Sequence, residues 1–385
     1  MHVIHTVWPY MALMLLVAGL FPALERRFGW KVFSVLPPIV LTYLFVTALA
    51  VSGLWQVNAE IKAAQSMLVS HLVPALLFLL MINCDLRAIW RLGPRVLGVF
   101  ACTSLSLFVA FIGTFLLYRH WLPGNDWQPL AALSGSWVGG SANMIAVKQA
   151  IGMSDTYLAM SLLTDALGYS MWVVVLFSVA RLAPAFNRWT RAVSSGDIPL
   201  APAKTRAPTT YDSVLLWLGM ALAAAALAGW LAGWLPVSGM VSATTWTILL
   251  ATGFGLLVAH TPLAQFPGAS TISSAMLICV VAVLASQSNF QGIAAAPLYL
   301  LCGVTVIAIH AVLLVGFAKL FRFDLYLCGI SSLAHIGGVA ATPILAASYS
   351  AALVPVGILL ALLGYILGTG FGLVVATVLS GLAGP

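Results

Sequence analysis

Apolar residues fall into twelve runs separated by short polar stretches. Six precede the longest hydrophilic stretch, at roughly 7–24, 35–54, 67–82, 96–118, 129–147 and 156–180. Six follow it, at roughly 213–234, 243–260, 270–286, 297–317, 325–347 and 352–380. A helix of about 20 apolar residues crosses the hydrocarbon core of a bilayer, so these runs predict membrane-spanning helices. The hydrophilic stretch, 182–212, is rich in Pro, Ala, Thr and Arg and separates a first unit of pattern (1–181) from a second (213–385).

The two halves repeat one another. In the first, the run LSGSWVGGSANMIAVKQAIGMSDTYLAMSLLTDALGY breaks at Gly139-Gly140 and ends on Leu167-Gly168-Tyr169. In the second, ISSLAHIGGVAATPILAASYSAALVPVGILLALLGY breaks at Gly337-Gly338 and ends on Leu363-Gly364-Tyr365. Glycine pairs that interrupt apolar segments at corresponding places in two halves point to a transporter binding site.

Composition places the chain in one class. It is 62% hydrophobic and 6% charged, against about 25% charged for soluble domains. The net charge of +7 therefore reads as loop orientation signals, not as a nucleic-acid surface. Cys84, Cys102, Cys279, Cys302 and Cys328 form no C-x-x-C pair and read as small buried hydrophobes, with no metal site or disulfide framework indicated. The first run lacks a preceding Lys or Arg, which predicts a retained helix, not a cleaved signal.

Basic residues follow segment 1 (Arg26, Arg27, Lys31) and segment 3 (Arg87, Arg91, Arg95). They recur around the linker (Arg181, Arg188, Arg191, Lys204, Arg206) and after segment 10 (Lys319, Arg322). Placing all of them in the cytoplasm starts the chain outside. Six full crossings would then put the linker outside, so one segment of the first half must enter and leave on one side. Segment 5, broken by Gly139-Gly140, is the best candidate, because non-helical backbone at membrane depth is tolerated only inside protein or beside a cavity. The prediction is an all-α polytopic membrane protein of two inverted repeats, each of about five transmembrane helices. Each repeat carries a re-entrant hairpin or a crossing broken helix, at 129–147 and 325–347. The linker is then cytoplasmic, both termini outside, and the location the inner membrane.

Three stretches carry a resemblance. They are Cys84-Asp85-Leu86-Arg87-Ala88-Ile89 with Leu92-Gly93, then Gly139-Gly140-Ser141-Ala142-Asn143-Met144-Ile145-Ala146-Val147, then His335-Ile336-Gly337-Gly338-Val339-Ala340-Ala341-Thr342. Together they resemble the bacterial membrane family of unknown function 819, the YjcL-like proteins, over nearly the whole chain. The layout more distantly resembles the sodium/glutamate and citrate symporters of the cation–proton antiporter superfamily, which implies inverted repeats and glycine-rich re-entrant loops. Where that pattern has Asp-Asn in the sixth segment, this chain has Asp165-Ala166.

Asp165 is the acidic residue deepest in an apolar run, where a carboxylate is costly unless paired, hydrated or bound to a cation. It is the candidate coupling-ion ligand for Na+ or H+, with Thr164 and Ser161 on nearby turns; its counterpart is Ala361. The glycine breaks free backbone amides and carbonyls for a passenger. Ser136, Gly139, Gly140, Ser141 and Asn143 are the solute-binding candidates in the first half, and His335, Gly337, Gly338 and Thr342 in the second. Lys148 either attracts an anionic solute or snorkels to the interface, snorkelling being favoured. His335 reads equally as contact or as packing; His71 and His310 read as structural. Asp85 with Arg87 reads as an interfacial pair, and Gly364, Gly368 and Gly372 as a helix-packing series.

No P-loop, dinucleotide fingerprint, zinc motif or nucleophile elbow is present, Gly253-x-Gly255 lacking its third glycine, so the chain reads as a non-enzyme. The reading is an ion-coupled secondary transporter of a small polar or anionic solute such as an amino acid, carboxylate or short peptide. A cation/proton antiporter without organic substrate and a non-transporting scaffold or sensor are the alternatives. The partners implied are the lipid bilayer and the solute, no cofactor beyond the coupling ion, no nucleic acid, with a homodimer left open.

Overall fold

In the computed structural model the apolar runs form helices, the two glycine-broken runs forming two each. The structure describes residues 3–30, 32–35, 38–82, 84, 86–122, 127–192, 208–237, 242–287, 296–350 and 353–384. The first half contributes α1 (Val7–Phe28), α2 (Pro38–Val51), α3 (Ala59–Met81), α4 (Gly93–Tyr118), α5 (Trp127–Gly139), α6 (Ser141–Ile151) and α7 (Asp155–Val179). After the short helix α8 (Ala183–Thr190), the second half contributes α9 (Tyr211–Ala232), α10 (Ala243–Ala259), α11 (Ala269–Ala285) and α12 (Ala296–Phe321). It ends with α13 (Leu325–Ile336), α14 (Gly338–Tyr349) and α15 (Val354–Ala383). Single helical turns also occur at Val32–Val35 and Leu86–Trp90.

The described residues are thus essentially all helical, and seven stretches are long and apolar enough to cross a membrane. Their outer faces agree with that environment. Leu16, Leu222 and Val312 are exposed in mid-helix, while Trp8, Trp90, Trp121, Trp234 and Tyr211 are exposed near helix ends, where amphipathic rings meet the headgroups. In water such an apolar exterior would aggregate.

The expected segments are found, with one instructive shift. Segment 3 begins at Ala59, not near 67, because Asn58 caps it by accepting the Ile61 amide at 2.9 Å. Its first turns carry Glu60, Lys62 and Gln65, whose polarity hid them from an apolar count. Part of the proposed cytoplasmic linker, 193–207, lies outside the described residues, as does Asp85 of the expected Asp85–Arg87 pair.

Two compact units divide the chain, and each draws on both halves. The first comprises Met1–Asn83, Lys148–Leu167 and Arg206–Pro297. It is centred on α3, buried from Val73 through Leu79, with α9, α10 and α11 packed around it. Gly255 of α10 lets the two backbones approach: a Cβ there would lie 2.6 Å from the Met81 Cβ. Gly255 therefore serves helix packing, whereas Gly253 has nothing within 4 Å.

The second unit comprises Cys84–Val147, Gly168–Thr205 and Leu298–Pro385. Its α4 and α12 run antiparallel, joined by Arg95 Nη2 to the Arg322 carbonyl (2.9 Å), Ser106 Oγ to His310 Nδ1 (2.7 Å) and Tyr118 Oη to Thr305 Oγ1 (3.0 Å). Within this unit the basic ends Arg95 and Arg322 therefore meet, and Lys319 stacks 4.8 Å above the Trp189 ring beside them. The long α15 packs along α5 through glycine: a Cβ on Gly368 would lie 2.6 Å from the Gly139 Cα, and one on Gly372 would lie 3.1 Å from the Gly135 Cα. The expected packing role of Gly364, Gly368 and Gly372 is what the structure shows.

Gly368→Ala is expected to lower stability by about 1–3 kcal/mol through overpacking. Gly370→Ala, on the open side of the same helix with nothing within 4 Å, is expected to be neutral or stabilising by up to ~1 kcal/mol. Thermal unfolding of the two variants in detergent checks the contrast.

Candidate solute site at the paired hairpin tips

Both broken segments fold back on themselves. A Cβ on Gly135 would lie 2.9 Å from Val147 Cγ2 and 3.2 Å from the Asn143 carbonyl oxygen; a continuous helix would hold Gly135 and Val147 about 18 Å apart. A Cβ on Gly329 would lie 3.0 Å from Tyr349 Oη, and Tyr326 stacks on Tyr349 at 4.6 Å. Segments 5 and 11 are therefore helical hairpins. Their arms hold 13 and 11 residues in one and 12 and 12 in the other. At about 1.5 Å per residue each arm is roughly 16–20 Å long, well short of a ~30 Å hydrocarbon core.

The turns are made at glycine because the backbone there is left-handed. Gly140 has φ +80 and Gly338 φ +60, a region that costs other residues about 1–2 kcal/mol. In the first hairpin the Gly140 amide donates to the Ser136 carbonyl at 2.6 Å, and the Gly140 carbonyl accepts from the Asn143 amide at 2.9 Å. In the second the Gly337 amide donates to the Leu333 carbonyl at 2.7 Å. The hairpin arms α6 and α14 thus start at the turns, with the Val339 amide of α14 donating to the Tyr365 hydroxyl.

Both turns lie against one ring. Cβ atoms at Gly140 and Gly338 would sit 3.2 and 3.7 Å from Tyr365 Cε1. The corresponding tyrosine of the first half, Tyr169, bears on Gly337, where a Cβ would be 3.0 Å from its Cε2. Tyr365 is half-buried, as are Gly140, Ser141 and Gly337, so the tips keep accessible surface. These tyrosines were visible in the sequence only as the ends of the two Leu-Gly-Tyr repeats.

Asn143 fastens the first tip. Its Nδ2 donates to the Gly139 carbonyl at 2.5 Å and to the Tyr365 carbonyl at 3.4 Å, and its Oδ1 accepts from Thr369 Oγ1 at 2.5 Å. Thr342 similarly returns its hydroxyl to the Gly338 carbonyl at 2.6 Å. Ser136 is buried in α5. These side chains brace the turns, leaving backbone, Ser141 and the Tyr365 ring as the accessible part.

His335 lies in the same unit and is fully buried. Its Nδ1–H donates to the Ser331 carbonyl at 2.8 Å, so Nε2 accepts from the Ser104 hydroxyl at 2.8 Å, with Phe100 stacked at 4.2 Å. A second chain runs beside it. Trp172 Nε1–H donates to Ser332 Oγ, which donates to His310 Nε2, each at 2.8 Å. His310 Nδ1–H donates to Ser106 Oγ at 2.7 Å, which donates to the Thr103 carbonyl at 2.7 Å. His310 and His335 are each buried and hydrogen-bonded through both ring nitrogens. Ser104, Ser106, Ser332 and Trp172 carried no signal in the sequence, because isolated Ser and Trp residues are ordinary in apolar helices.

Asp165, Thr164 and Ser161 belong to the first unit, on the early part of α7. Asp165 is half-buried, Ser161 and Thr164 are buried, and Thr164 Oγ1 has no hydrogen-bond partner among the described residues. Lys148 corrects an expectation: it does not snorkel but is 5% exposed and pairs with Asp155 at 2.7 Å. Both residues lie between the two apolar runs, so the sequence did not reveal that their charges meet.

A helical multi-pass membrane protein with two half-length hairpins is the class these features define. The chain belongs to the family described as a protein of unknown function, DUF819, which matches residues 12–382. No curated protein matches it.

Gly140→Ala is expected to destabilise more than Gly152→Ala. Both positions have positive φ, but only the first also meets a side chain, Tyr365, the second having nothing within 4 Å. The backbone share is about 1–2 kcal/mol in each, and the excess at Gly140 should appear in thermal melts.

Proposed function

We propose that this protein is an ion-coupled secondary transporter of a small polar or anionic solute, such as an amino acid, carboxylate or short peptide, working by alternating access in the inner membrane. The carrying observation is that two helix N-termini, at Ser141 and Gly338, begin beside the same Tyr365 ring. Each N-terminus carries roughly half a positive charge, and orphan amides there are donors for an anionic group. Half-length arms that bring such ends to membrane depth are the device by which carriers seat anionic solutes.

Other observations support the reading. The antiparallel α4 and α12 hold corresponding places in the two halves, as an inverted repeat requires. Division into two compact units suits a protein in which one body moves against another. Asp165 is assigned the coupling role, as a carboxylate in an apolar helix that binds Na+ or a proton. The chain then acts as a carrier and catalyses no reaction, with the linker cytoplasmic and both termini outside.

The test is flux in proteoliposomes holding an imposed sodium or proton gradient, with amino acids, dicarboxylates and dipeptides offered in turn. Gradient-dependent uptake of one class is expected, and Asp165→Asn should reduce it at least tenfold. Sodium–proton exchange with no organic solute moved would instead establish the antiporter. The absence of any flux, with Asp165→Asn indistinguishable from wild type in stability against sodium and pH, would establish the non-transporting scaffold.

A further inference from the structure

In the second unit the last turn of α8 is held against the junction of α12 and α13. Lys319 Nζ of α12 donates to the Trp189 carbonyl and stands 4.8 Å above the Trp189 ring. The Leu325 amide at the start of α13 donates to Asn187 Oδ1 at 2.9 Å. Arg95, in the first turn of α4, donates to the Arg322 carbonyl at 2.9 Å. Two helices therefore end at this place and two begin.

The place is positive. Arg188, Arg191, Lys319 and Arg322 are all exposed. Asp324 is the only carboxylate among the described residues of this unit. It is buried, and its Oδ1 caps α13 by accepting the Leu327 amide at 2.9 Å. The two helix starts and two helix ends carry about half a charge each, of opposite sign, and so roughly cancel. Four exposed cations against one buried acid leave the surface with a net positive charge.

Both helices that end here stop in the same way. The Ala192 amide donates to the Asn187 carbonyl at 2.9 Å, and the Phe323 amide to the Ala318 carbonyl at 3.0 Å. Each is the long bond of a Schellman stop, whose left-handed residue is usually glycine. Here it is Arg191, with φ 54, and Arg322, with φ 58. Among the described residues these are the only non-glycine residues with positive φ. A side chain is disfavoured in that conformation, and folding alone would be served better by glycine. Strain kept at two matching positions, with a guanidinium at both, is a pointer to function.

Apolar side chains flank these charges. Leu182, Trp189, Leu320 and Phe321 are exposed, the last two on the final turn of a membrane-length helix. Cations mixed with exposed Trp, Leu and Phe suit the boundary between headgroups and acyl chains.

We propose that this end of the second unit is a binding site for the headgroup of an anionic phospholipid. Arg191 and Arg322 take the phosphate oxygens, which the planar guanidinium fits. Arg188 and Lys319 add charge, and Leu320 and Phe321 lie along the acyl chains. A zwitterionic headgroup brings a cation of its own, which the four basic residues repel. Basic clusters beside membrane helices attract anionic lipid in this way.

The experiment is thermal melting of the full chain in neutral detergent. The additives are dioleoylphosphatidylglycerol, dioleoylphosphatidylcholine and inorganic phosphate. A ligand of the folded state raises the melting temperature. Phosphatidylglycerol is expected to raise it at least twice as far as phosphatidylcholine, and phosphate to leave it unchanged. Arg191→Gly with Arg322→Gly removes two charges and relieves the left-handed backbone. Without lipid this variant should melt at or above wild type, yet it should lose at least half of the phosphatidylglycerol shift. Arg191→Gln with Arg322→Gln, which keeps a side chain at both stops, should lose as much and carries the test if the glycine variant melts lower. Arg26→Gln with Arg27→Gln removes two exposed charges from the other unit and should keep the full shift. Equal shifts from the two lipids, or a shift from phosphate alone, would overturn the site. So would an undiminished shift in the variants of Arg191 and Arg322, or an equal loss in the variant of Arg26 and Arg27. The melts involve no gradient, so this site and the transporter reading fail separately.

Discussion

The second unit depends on how closely two helix backbones can approach where α15 crosses α5. Gly135 and Gly139 on one side meet Gly372 and Gly368 on the other, with backbone atoms where side chains would otherwise stand. In a bilayer the hydrophobic effect does not drive helices together, so close packing and hydrogen bonds must do so. The glycine seam supplies the first. Asn143, bridging the Gly139 carbonyl, the Tyr365 carbonyl and Thr369, supplies the second. Without that approach the first turn would not reach Tyr365, and the two helix starts would not share a ring.

The turns show how a protein keeps irregular backbone in an apolar setting. Each unsatisfied amide or carbonyl costs several kcal/mol away from water, and here most are answered locally. Ser136 and Leu333 offer their carbonyls to the glycine amides that follow them, while Asn143 and Thr342 donate to the carbonyls of Gly139 and Gly338. The histidine–serine chains around His310 and His335 apply the same economy deeper in the unit, with each proton placed. What remains accessible is small: parts of Gly140, Ser141, Gly337 and Tyr365. A site assembled from backbone on rigid, mutually braced arms is preorganised for its ligand.

Much of this was legible from the residues. Apolar runs with few charges can only be satisfied as buried or lipid-facing helices, so the helical class, the membrane class and the two breaks followed from pattern alone. Gly139-Gly140 and Gly337-Gly338 announced turns because a left-handed backbone is open to glycine at little cost. The G-x-x-x-G spacing of Gly364, Gly368 and Gly372 announced a packing face because residues four apart share one side of a helix. The misjudgements came where polarity was read as exposure: the first turns of α3 were missed, and Lys148 was expected at the interface.

The amino-acid sequence by itself determined the helices, their breaks and the family. These depend on local composition and on spacing along the chain. Only the tertiary structure decided that the breaks are hairpins and that both meet Tyr365. It alone decided that Lys148 answers Asp155 and that His310 and His335 are hydrogen-bonded through both ring nitrogens. Each of these joins residues far apart in the chain or depends on which proton is already used. Such facts arise when helices pack, and no periodicity along the chain encodes them.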